Sequence, residues 1–211
     1  MPREPYSSAE DSLIFFAQGK ESQHLSEVDD DLAALIEELE VVSIDIDGDG
    51  FRALARAIVD QQISIHAARA IWLRLEDYCG TVTAETITTA DEGKMRACGL
   101  SRLKIAALKD LAAHVQDGHI DFDHLAKLDD EEIIEVLTQV RGIGRWTAQM
   151  HLIFALRRHD VFAVNDGALR RAVEKLKGLP SSSPPELIEA IAEDWAPYRT
   201  VAALYLWKSM H

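Results

Sequence analysis

The sequence predicts an all-α fold, on three observations. Apolar residues recur at the three- and four-residue spacing of amphipathic helices along most of the chain. No run of four to eight residues alternates convincingly between apolar and polar side chains, as a half-buried strand would. Gly142 and Gly144 interrupt one helical pattern, and a second pattern resumes just after them.

The elements follow in chain order from this spacing. The stripes are made by Leu32, Leu35, Ile36 and Leu39; by Phe51, Leu54, Ala55 and Ile58; by Ile71, Leu75 and Tyr78, from about Ile65; by Leu103, Ala106, Ala107, Leu111 and Val115; by Leu187, Ile188, Ile191 and Trp195; and by Val201, Leu204 and Trp207. Three serines between Pro180 and Pro185 predict a surface loop before the last two helices.

The stretch 129–156 predicts two short helices joined by a tight hairpin. Acidic residues at 129–132 precede Ile133, Ile134 and Leu137, as in a helix with a carboxylate-rich first turn. Two glycines separated by one apolar residue then let the backbone double back. They also expose N–H groups at the start of the second helix, and such groups can bind a phosphate without any side chain.

Length and composition limit the class of protein. A chain of 211 residues with 47% hydrophobic residues can form one domain, or two small lobes that share a core. Cys79 and Cys98 form no CxxC motif, which favours a reducing cytosol and no disulfide framework. The apolar run 13–17 is too short for a membrane span or a signal peptide, so we expect a protein that is neither membrane-bound nor secreted.

The formal net charge of -14 argues against nucleic-acid binding, but the charge is unevenly distributed. Residues 1–50 hold two basic and fourteen acidic side chains, whereas residues 141–177 hold eight basic and three acidic ones. Phosphate binding depends on the local face rather than on the total charge. A basic helix face that is merely solvated remains the alternative.

Asp166 lies in Asn165-Asp166-Gly167, a triplet that begins 18 residues after Thr147 and precedes a helical pattern. Aspartate is a favoured helix N-cap, so a purely structural role is open. A helix N-terminus also stabilises an ionised carboxylate, so a chemical role is open as well. The two roles are compatible.

Two metal motifs are weaker. Asp45, Asp47, Asp49 and Gly50 match the start of an EF-hand calcium loop, but Arg56 stands where the bidentate glutamate belongs. We therefore expect an acidic turn rather than a calcium site. The eight histidines are scattered without an HExxH motif, so no zinc site is expected either.

Several ordered motifs run from about residue 25 to the C-terminus. They are Gly-Ile-Gly-Arg-Trp-Thr-Ala at 142–148, Asp-Val-Phe at 160–162 before Asp166, Trp195-Ala-Pro-Tyr-Arg199 with Trp207, Gln61-Gln62-Ile63-Ser64, and Gly99-Leu100-Ser101-Arg102 with Lys104. In these residues the chain resembles the helix-hairpin-helix DNA glycosylase superfamily, and more closely its 3-methyladenine DNA glycosylase II (alkylation-repair) family.

The resemblance implies a two-lobed helix-hairpin-helix glycosylase fold. Residues 1–50 and 170–211 would form a terminal helical lobe, residues 51–169 the hairpin lobe, and the catalytic cleft would lie between them. We expect no extra N-terminal β-rich domain, since 211 residues leave no room for it. The superfamily's iron–sulfur branch is excluded, because no cysteine follows Cys98.

The resemblance also implies roles for individual residues. Asp166 would be the catalytic aspartate. Trp146, Trp207, Tyr198 and Met150 would line the base pocket, although aromatic residues at helical spacing are usually core residues. Gly142, Gly144, Arg145, Thr147 and Gln62 would contact DNA. Gln62 would act as a wedge in the gap left by the flipped base, or be a merely exposed polar helix end. The carbonyls of Thr138, Val140 and Ile143 would hold a monovalent cation, Na⁺ or K⁺, and no organic cofactor is expected.

The implied function is excision of alkylated purines, such as 3-methyladenine and 7-methylguanine, from double-stranded DNA in base excision repair. Lyase-competent relatives have a lysine where this chain has Trp146, which implies a monofunctional enzyme that uses water as the nucleophile. We expect a monomer in the cytoplasm of a prokaryote or the nucleus. The alternatives are a non-catalytic helix-hairpin-helix DNA-binding module and a glycosylase for deaminated or mismatched bases.

Overall fold

The computed structural model of the protein describes residues 12–45 and 49–210. Within these ranges the chain is mostly helical, which confirms the predicted fold class. The elements are β1 (Ser12–Phe16), α1 (Lys20–Val28), α2 (Asp30–Leu39), β2 (Val41–Asp45), α3 (Gly50–Asp60), α4 (Ile65–Cys79), α5 (Ala84–Thr89), α6 (Glu92–Ala97), α7 (Arg102–Gln116), α8 (Phe122–Leu125), α9 (Asp130–Leu137), α10 (Arg145–Phe154), α11 (Gly167–Leu176), α12 (Pro185–Glu193) and α13 (Arg199–Lys208).

The chain divides into two compact units. The terminal unit consists of Met1–Ile46 and Leu152–His211, and the hairpin unit of Asp47–His151. The first boundary lies near the predicted residue 50, but the hairpin unit ends at His151 and not at residue 169. The reason is that residues 158–161 are hydrogen-bonded to the start of α13, so the segment after α10 belongs with the C-terminal helices. The predicted cleft stays a prediction.

The terminal unit contains a small sheet that the sequence did not predict. Strand β1 pairs antiparallel with β2, with Ser12 opposite Asp45 and Phe16 opposite Val41. The sequence contains no convincingly alternating run, and these two strands form without one. Ile14 and Phe16 are apolar but lie on the exposed side of β1, which conceals the period-2 alternation that normally reveals a strand.

Helix α13 is the centre of the terminal unit. Every residue from Thr200 to Leu206 is buried, and α13 packs against α1, α2, α11 and β2. A helix covered on all sides gives only a weak amphipathic pattern. Its burial makes α13 a rigid support for the side chains near both of its ends.

In the hairpin unit, α7 packs against α3, α5 and α6. Each helix from α3 to α9 starts at an aspartate, serine or threonine whose side-chain oxygen accepts a backbone N–H from the first turn. These caps are Asp49, Ser64, Thr83, Asp91, Ser101, Asp121 and Asp129. Such caps satisfy N–H groups that the helix itself cannot. Helix α10 is different, because it begins after Gly144, which has no side chain.

No helix in the described ranges combines the length and the apolar character needed to cross a membrane.

Candidate active site and hairpin

The segment that leads to Asp166 is held by the start of α13. Arg199 donates from Nε and Nη2 to the two oxygens of Asp160, at 2.7 and 2.9 Å. Burial alone would raise the pKa of the Asp160 carboxyl, but the hydrogen bonds and charge of Arg199 outweigh it and lower that pKa. Thr200 Oγ1 accepts the Val161 N–H and donates to the Arg158 carbonyl. Two motifs noted in the sequence, around 160 and around 199, are thus joined directly.

A buried ionic cluster anchors the same segment from behind. Phe162 packs edge-on against Trp195, with ring centroids 5.7 Å apart. The Trp195 indole donates to Asp29 Oδ2 at 2.7 Å, and Lys177 Nζ donates to Asp29 Oδ1 at 2.5 Å. Burial raises the pKa of the Asp29 carboxyl. The hydrogen bonds from Lys177, the Leu32 N–H and Trp195 outweigh this effect and lower the pKa below its usual value, so the carboxylate form is retained. The cluster links the segment before Asp166 to the N-cap of α2 and to the C-cap of α11.

Asp166 is the N-cap of α11. Its Oδ1 accepts the Leu169 N–H at 2.7 Å and the indole N–H of Trp207 at 3.1 Å. The capping role open in the sequence is therefore present, and a second donor is added from 41 residues away. Because two donors converge on one oxygen, the half-buried carboxylate has a defined orientation.

Trp207 lies between Asp166 and another aromatic ring. Phe154, on α10, stacks on Trp207 with centroids 6.0 Å apart and 27° between the ring planes. Sequence reasoning missed Phe154, because an aromatic residue at helical spacing resembles any core residue. Tyr198 is the N-cap residue of α13, and its ring packs edge-on against His24 at 5.3 Å.

The hairpin follows α9 closely. Gly142 has φ +78°, and a Cβ at this position would lie 3.1 Å from Ala107 Cβ. Val140 and Ile143 are buried beneath the turn, and the Arg141 N–H donates to Asp110 Oδ2 at 2.7 Å. Glycine is therefore required at 142 by both conformation and space.

The start of α10 is open. Gly144 is exposed, and a Cβ built there meets no atom within 4 Å. Its φ lies outside the left-handed region, so the expected conformational need for glycine holds at 142 but not at 144. The first backbone bond of the helix runs from the Ala148 N–H to the Gly144 carbonyl. In an α-helix, the N–H groups of the first turn precede the first intrahelical bond and face the N-terminal end.

The hairpin is tied to the turn after α3 by Gln61. Its Nε2 donates to the Gly142 carbonyl at 2.9 Å and to Thr147 Oγ1 at 3.3 Å. Thr147 was expected to contact DNA, but it is only 3% exposed, and its hydroxyl accepts a hydrogen bond from Gln61. Gln62 is exposed with φ +56°. A depression of about 360 Å³ is lined by Asp60, Gln61, Gln62, Gly142, Gly144, Trp146 and Thr147.

The remaining hairpin side chains differ in exposure. Trp146 is 37% exposed, and Met150 is half-buried one turn further along α10. Arg145 donates from both terminal nitrogens to the carboxylate of Glu131. This hydrogen bond is the main reason why the pKa of Glu131 is lowered. The arginine expected to meet DNA is thus already paired with a carboxylate.

The predicted cation ligands lie at the end of α9 and in the turn. Thr138 is the C-cap of α9, and the Val140 carbonyl accepts the Ile143 N–H at 3.1 Å. The monovalent cation stays a prediction. Part of the calcium-like loop, residues 46–48, lies outside the described residues, and Asp49 caps α3. Within the described ranges no group of three or more His, Cys, Asp or Glu side chains is placed to hold a metal ion.

A known protein family matches most of this chain. Residues 55–197 match the HhH-GPD superfamily of base excision DNA repair proteins. The chain belongs to that superfamily.

The relatives carry more specific names. The chain is 40% identical to DNA-3-methyladenine glycosylase 1 of Schizosaccharomyces pombe over 163 residues, which cover 75% of this chain and 72% of that protein. A 3-methyladenine glycosidase structure from Bacillus halodurans matches 94% of this chain and 92% of its own, with TM-score 0.86 and 34% identity. The S. pombe 3-methyladenine DNA glycosylase in complex with abasic DNA matches 90% of this chain and 96% of its own, with TM-score 0.80 and 34% identity.

Several basic side chains of residues 141–177, the stretch with a positive local charge, bind other groups of this HhH-GPD protein. Lys177 binds Asp29 and Asp31, Arg170 donates to the Ser183 carbonyl, and Arg145 binds Glu131. Part of the positive charge of this stretch is therefore already paired within the protein.

Proposed function

We propose that this protein is a monofunctional DNA glycosylase that removes alkylated purines from double-stranded DNA by hydrolysis of the N-glycosidic bond. The observation that carries the proposal is the Asp166 carboxylate, held at the start of α11 by the Leu169 N–H and the Trp207 indole. The names of the relatives, 3-methyladenine glycosylases from yeast and bacteria, support the substrate class.

The chemistry suits a carboxylate without a strong general acid. A target base must first leave the duplex stack, which costs a few kcal/mol. Alkylation at a purine ring nitrogen gives the base a positive charge, so it departs with the bonding electron pair as a neutral leaving group. The deoxyribose then develops oxocarbenium character, which Asp166 stabilises. Asp166 also orients a water molecule and accepts its proton as the water oxygen bonds to C1′.

The aromatic residues receive the base. A cation over an aromatic face gains about 0.5–2 kcal/mol, which favours an alkylated base over a neutral one. Trp207 lies against Asp166 and Phe154 stacks on Trp207, so both are proposed contacts of the base or of the adjoining sugar. Trp146, Tyr198 and Met150 complete the proposed set.

The hairpin holds the DNA backbone. The N–H groups at the start of α10 bind a phosphate, and Gly144 leaves room for its close approach. Gly142 sets the turn, Arg145 adds charge, and Gln62 enters the gap left by the flipped base. The carbonyls of Thr138, Val140 and Ile143 are the proposed ligands of a Na⁺ or K⁺ ion that bridges to the phosphate; no other cofactor is proposed.

Trp146 supports the monofunctional assignment. It occupies the position of the lysine that lyase-competent relatives use, and its indole cannot form a Schiff base. The neighbouring Arg145 stays protonated and cannot replace that lysine. We propose that the enzyme acts as a monomer where chromosomal DNA is found, in the cytoplasm of a prokaryote or in the nucleus.

The test is release of free base from alkylated duplex DNA. We expect 3-methyladenine and 7-methylguanine to be released, with the abasic strand left intact and no protein–DNA adduct after borohydride reduction. Binding without release would favour a non-catalytic module. Release only from uracil- or mismatch-containing duplexes would favour the other glycosylase class, and a borohydride adduct would contradict the monofunctional mechanism.

A further inference from the structure

Lys104, in the first turn of α7, has no role in the function proposed above. Its Nζ donates to the carbonyl of Val59 at 2.6 Å and to the carbonyl of Gln61 at 2.8 Å. These carbonyls lie at the end of α3, where no further helical turn is present to satisfy them. The lysine ammonium therefore closes the C-terminus of α3, as cationic side chains do at helix ends.

Gln62 lies in the turn whose carbonyl groups accept the hydrogen bonds of Lys104. Gln61 is held twice: its carbonyl by Lys104, and its side chain by the Gly142 carbonyl and Thr147. The next residue, Gln62, is exposed and has φ +56°, a conformation that a non-glycine residue keeps only where its neighbours impose it. Gln61, the residue directly before it, carries these three hydrogen bonds.

We propose that Lys104 is a positioning residue for damage recognition: by fixing Gln61 it holds the turn in the one conformation that directs Gln62 into the gap left by a flipped base. This inference rests on the proposed function, because it takes Gln62 as the residue that enters the gap. Lys104 itself touches neither the base nor the reacting atoms.

A lysine suits this task for a physical reason. An ammonium group carries three donors and can satisfy two carbonyls at once. Burial lowers the pKa of Lys104, and the charge of Asp60 opposes that shift. Replacement by methionine would retain the length and the packing of the side chain but leave both carbonyls without a donor. The turn would then be free to leave the conformation that Gln62 needs.

Lys109 is a matched control on the same helix. Its Nζ donates to the carbonyls of Thr88 and Ala90, at 2.9 and 2.6 Å, and so closes the end of α5 in the same way. Lys109→Met therefore removes the same kind of contact from the same unit, but at a turn that holds no proposed DNA contact.

The experiment compares binding of two duplexes, one with an abasic analogue and one undamaged, by wild type, Lys104→Met and Lys109→Met. We expect Lys104→Met to reduce the preference for the abasic duplex about tenfold, the order of a coupling between residues in contact. Lys109→Met should change it less than about twofold. Lys104→Arg, which keeps the charge and the donors, should recover most of the preference.

A double-mutant cycle with Gln62→Ala tests the route. If Lys104 acts through Gln62, Lys104→Met should have no further effect on the preference in the Gln62→Ala background. Melting temperatures identify any variant that fails to fold, in which case Lys104→Gln takes the place of Lys104→Met. Equal effects of Lys104→Met and Lys109→Met, or full additivity with Gln62→Ala, would overturn the proposal. Because the readout is binding, a wild type that binds abasic DNA but releases no base would contradict the proposed function without affecting this test.

Discussion

Two helix N-termini of this protein differ in the residue that precedes the helix. At α11 the first-turn N–H of Leu169 binds a carboxylate of the chain itself, Asp166. At α10 the preceding residue is Gly144, which has no side chain to act as an acceptor and leaves open space. A helix N-terminus attracts an anion in either case. The residue before the helix thus decides whether that anion is a side chain of the chain itself, as at α11, or, as we propose for α10, a phosphate of the DNA.

The largest expected effect concerns the α11 terminus. Asp166→Asn keeps the shape and an oxygen for the cap but removes the negative charge. We expect base release to fall about 100- to 1000-fold, the range for loss of a preorganised electrostatic group. Affinity for an abasic-analogue duplex should change little, because the phosphate contacts lie elsewhere. Single-turnover release from methylated DNA is the measurement, and unchanged turnover would remove Asp166 from the mechanism.

The next effect concerns the stability of the protein in acid, which depends on a buried histidine of α10. His151, on α10, is 3% exposed, and among the described residues neither of its ring nitrogens has a hydrogen-bond partner. Burial lowers its pKa from 6.5 to about 4. The unfolded chain therefore takes up a proton near pH 6.5 that the folded chain refuses until about pH 4. Above pH 6.5 His151 is neutral in both states and does not reduce the free energy of unfolding. Between pH 6.5 and pH 4 its burial lowers that free energy by roughly 3 kcal/mol.

Urea unfolding at a series of pH values measures this term. His151→Leu should flatten the decline between pH 6.5 and pH 4, whereas replacing the exposed His119 by glutamine should not. A His151→Leu variant with the slope of the wild type would show that the histidine is already protonated in the folded state, or that it is not buried.

A smaller effect separates backbone from side chain at the α10 terminus. The Cβ that Gly144→Val adds meets no atom of the protein within 4 Å, so we attribute a loss of affinity in a folded variant to the DNA contact. We expect affinity for an abasic-analogue duplex to fall about tenfold, in the range of one or two charge-assisted hydrogen bonds. Arg145→Ala should cost less than about threefold, because the arginine exchanges its partner Glu131 for a phosphate.

Salt titrations of the same variants give a second measurement. About three to five phosphates neutralised correspond to a log–log slope of roughly -0.9 for each. Each variant needs a melting curve, since valine is a poorer N-cap than glycine. Wild-type affinity in Gly144→Val, or a slope near -10, would place the DNA on another surface.

A loss similar in size to that of Gly144→Val is expected on the α11 side. Trp207→Phe keeps an aromatic ring beside Phe154 but removes the indole N–H that donates to Asp166. One hydrogen bond to a charged group contributes about 1.5–3 kcal/mol, and the Leu169 N–H remains. We therefore expect a loss of about tenfold in the rate of base release, less than for Asp166→Asn. A loss equal to that of Asp166→Asn would mean that the indole, and not the cap, orients the carboxylate.

Local patterns were enough for much of this picture. The Asn-Asp-Gly triplet predicted a cap, and α11 does begin after Asp166. The acidic run before Ile133 predicted α9, which starts at Asp130. These features depend on residues three or four positions apart, so they can be inferred from composition and spacing alone. The two strands could not be predicted in this way, because β1 pairs with β2 across two intervening helices.

The sequence by itself determined the helical class, the hairpin with its two glycines and the position of Asp166 beyond it. Only the tertiary structure decided which side chains serve these parts. Trp207 reaches Asp166 from α13, Gln61 reaches the hairpin from the end of α3, and Arg145 is paired with Glu131. The physical reason is range: a helix cap or a turn is a matter of neighbouring residues, whereas a hydrogen bond between residues tens of positions apart depends on how whole helices pack.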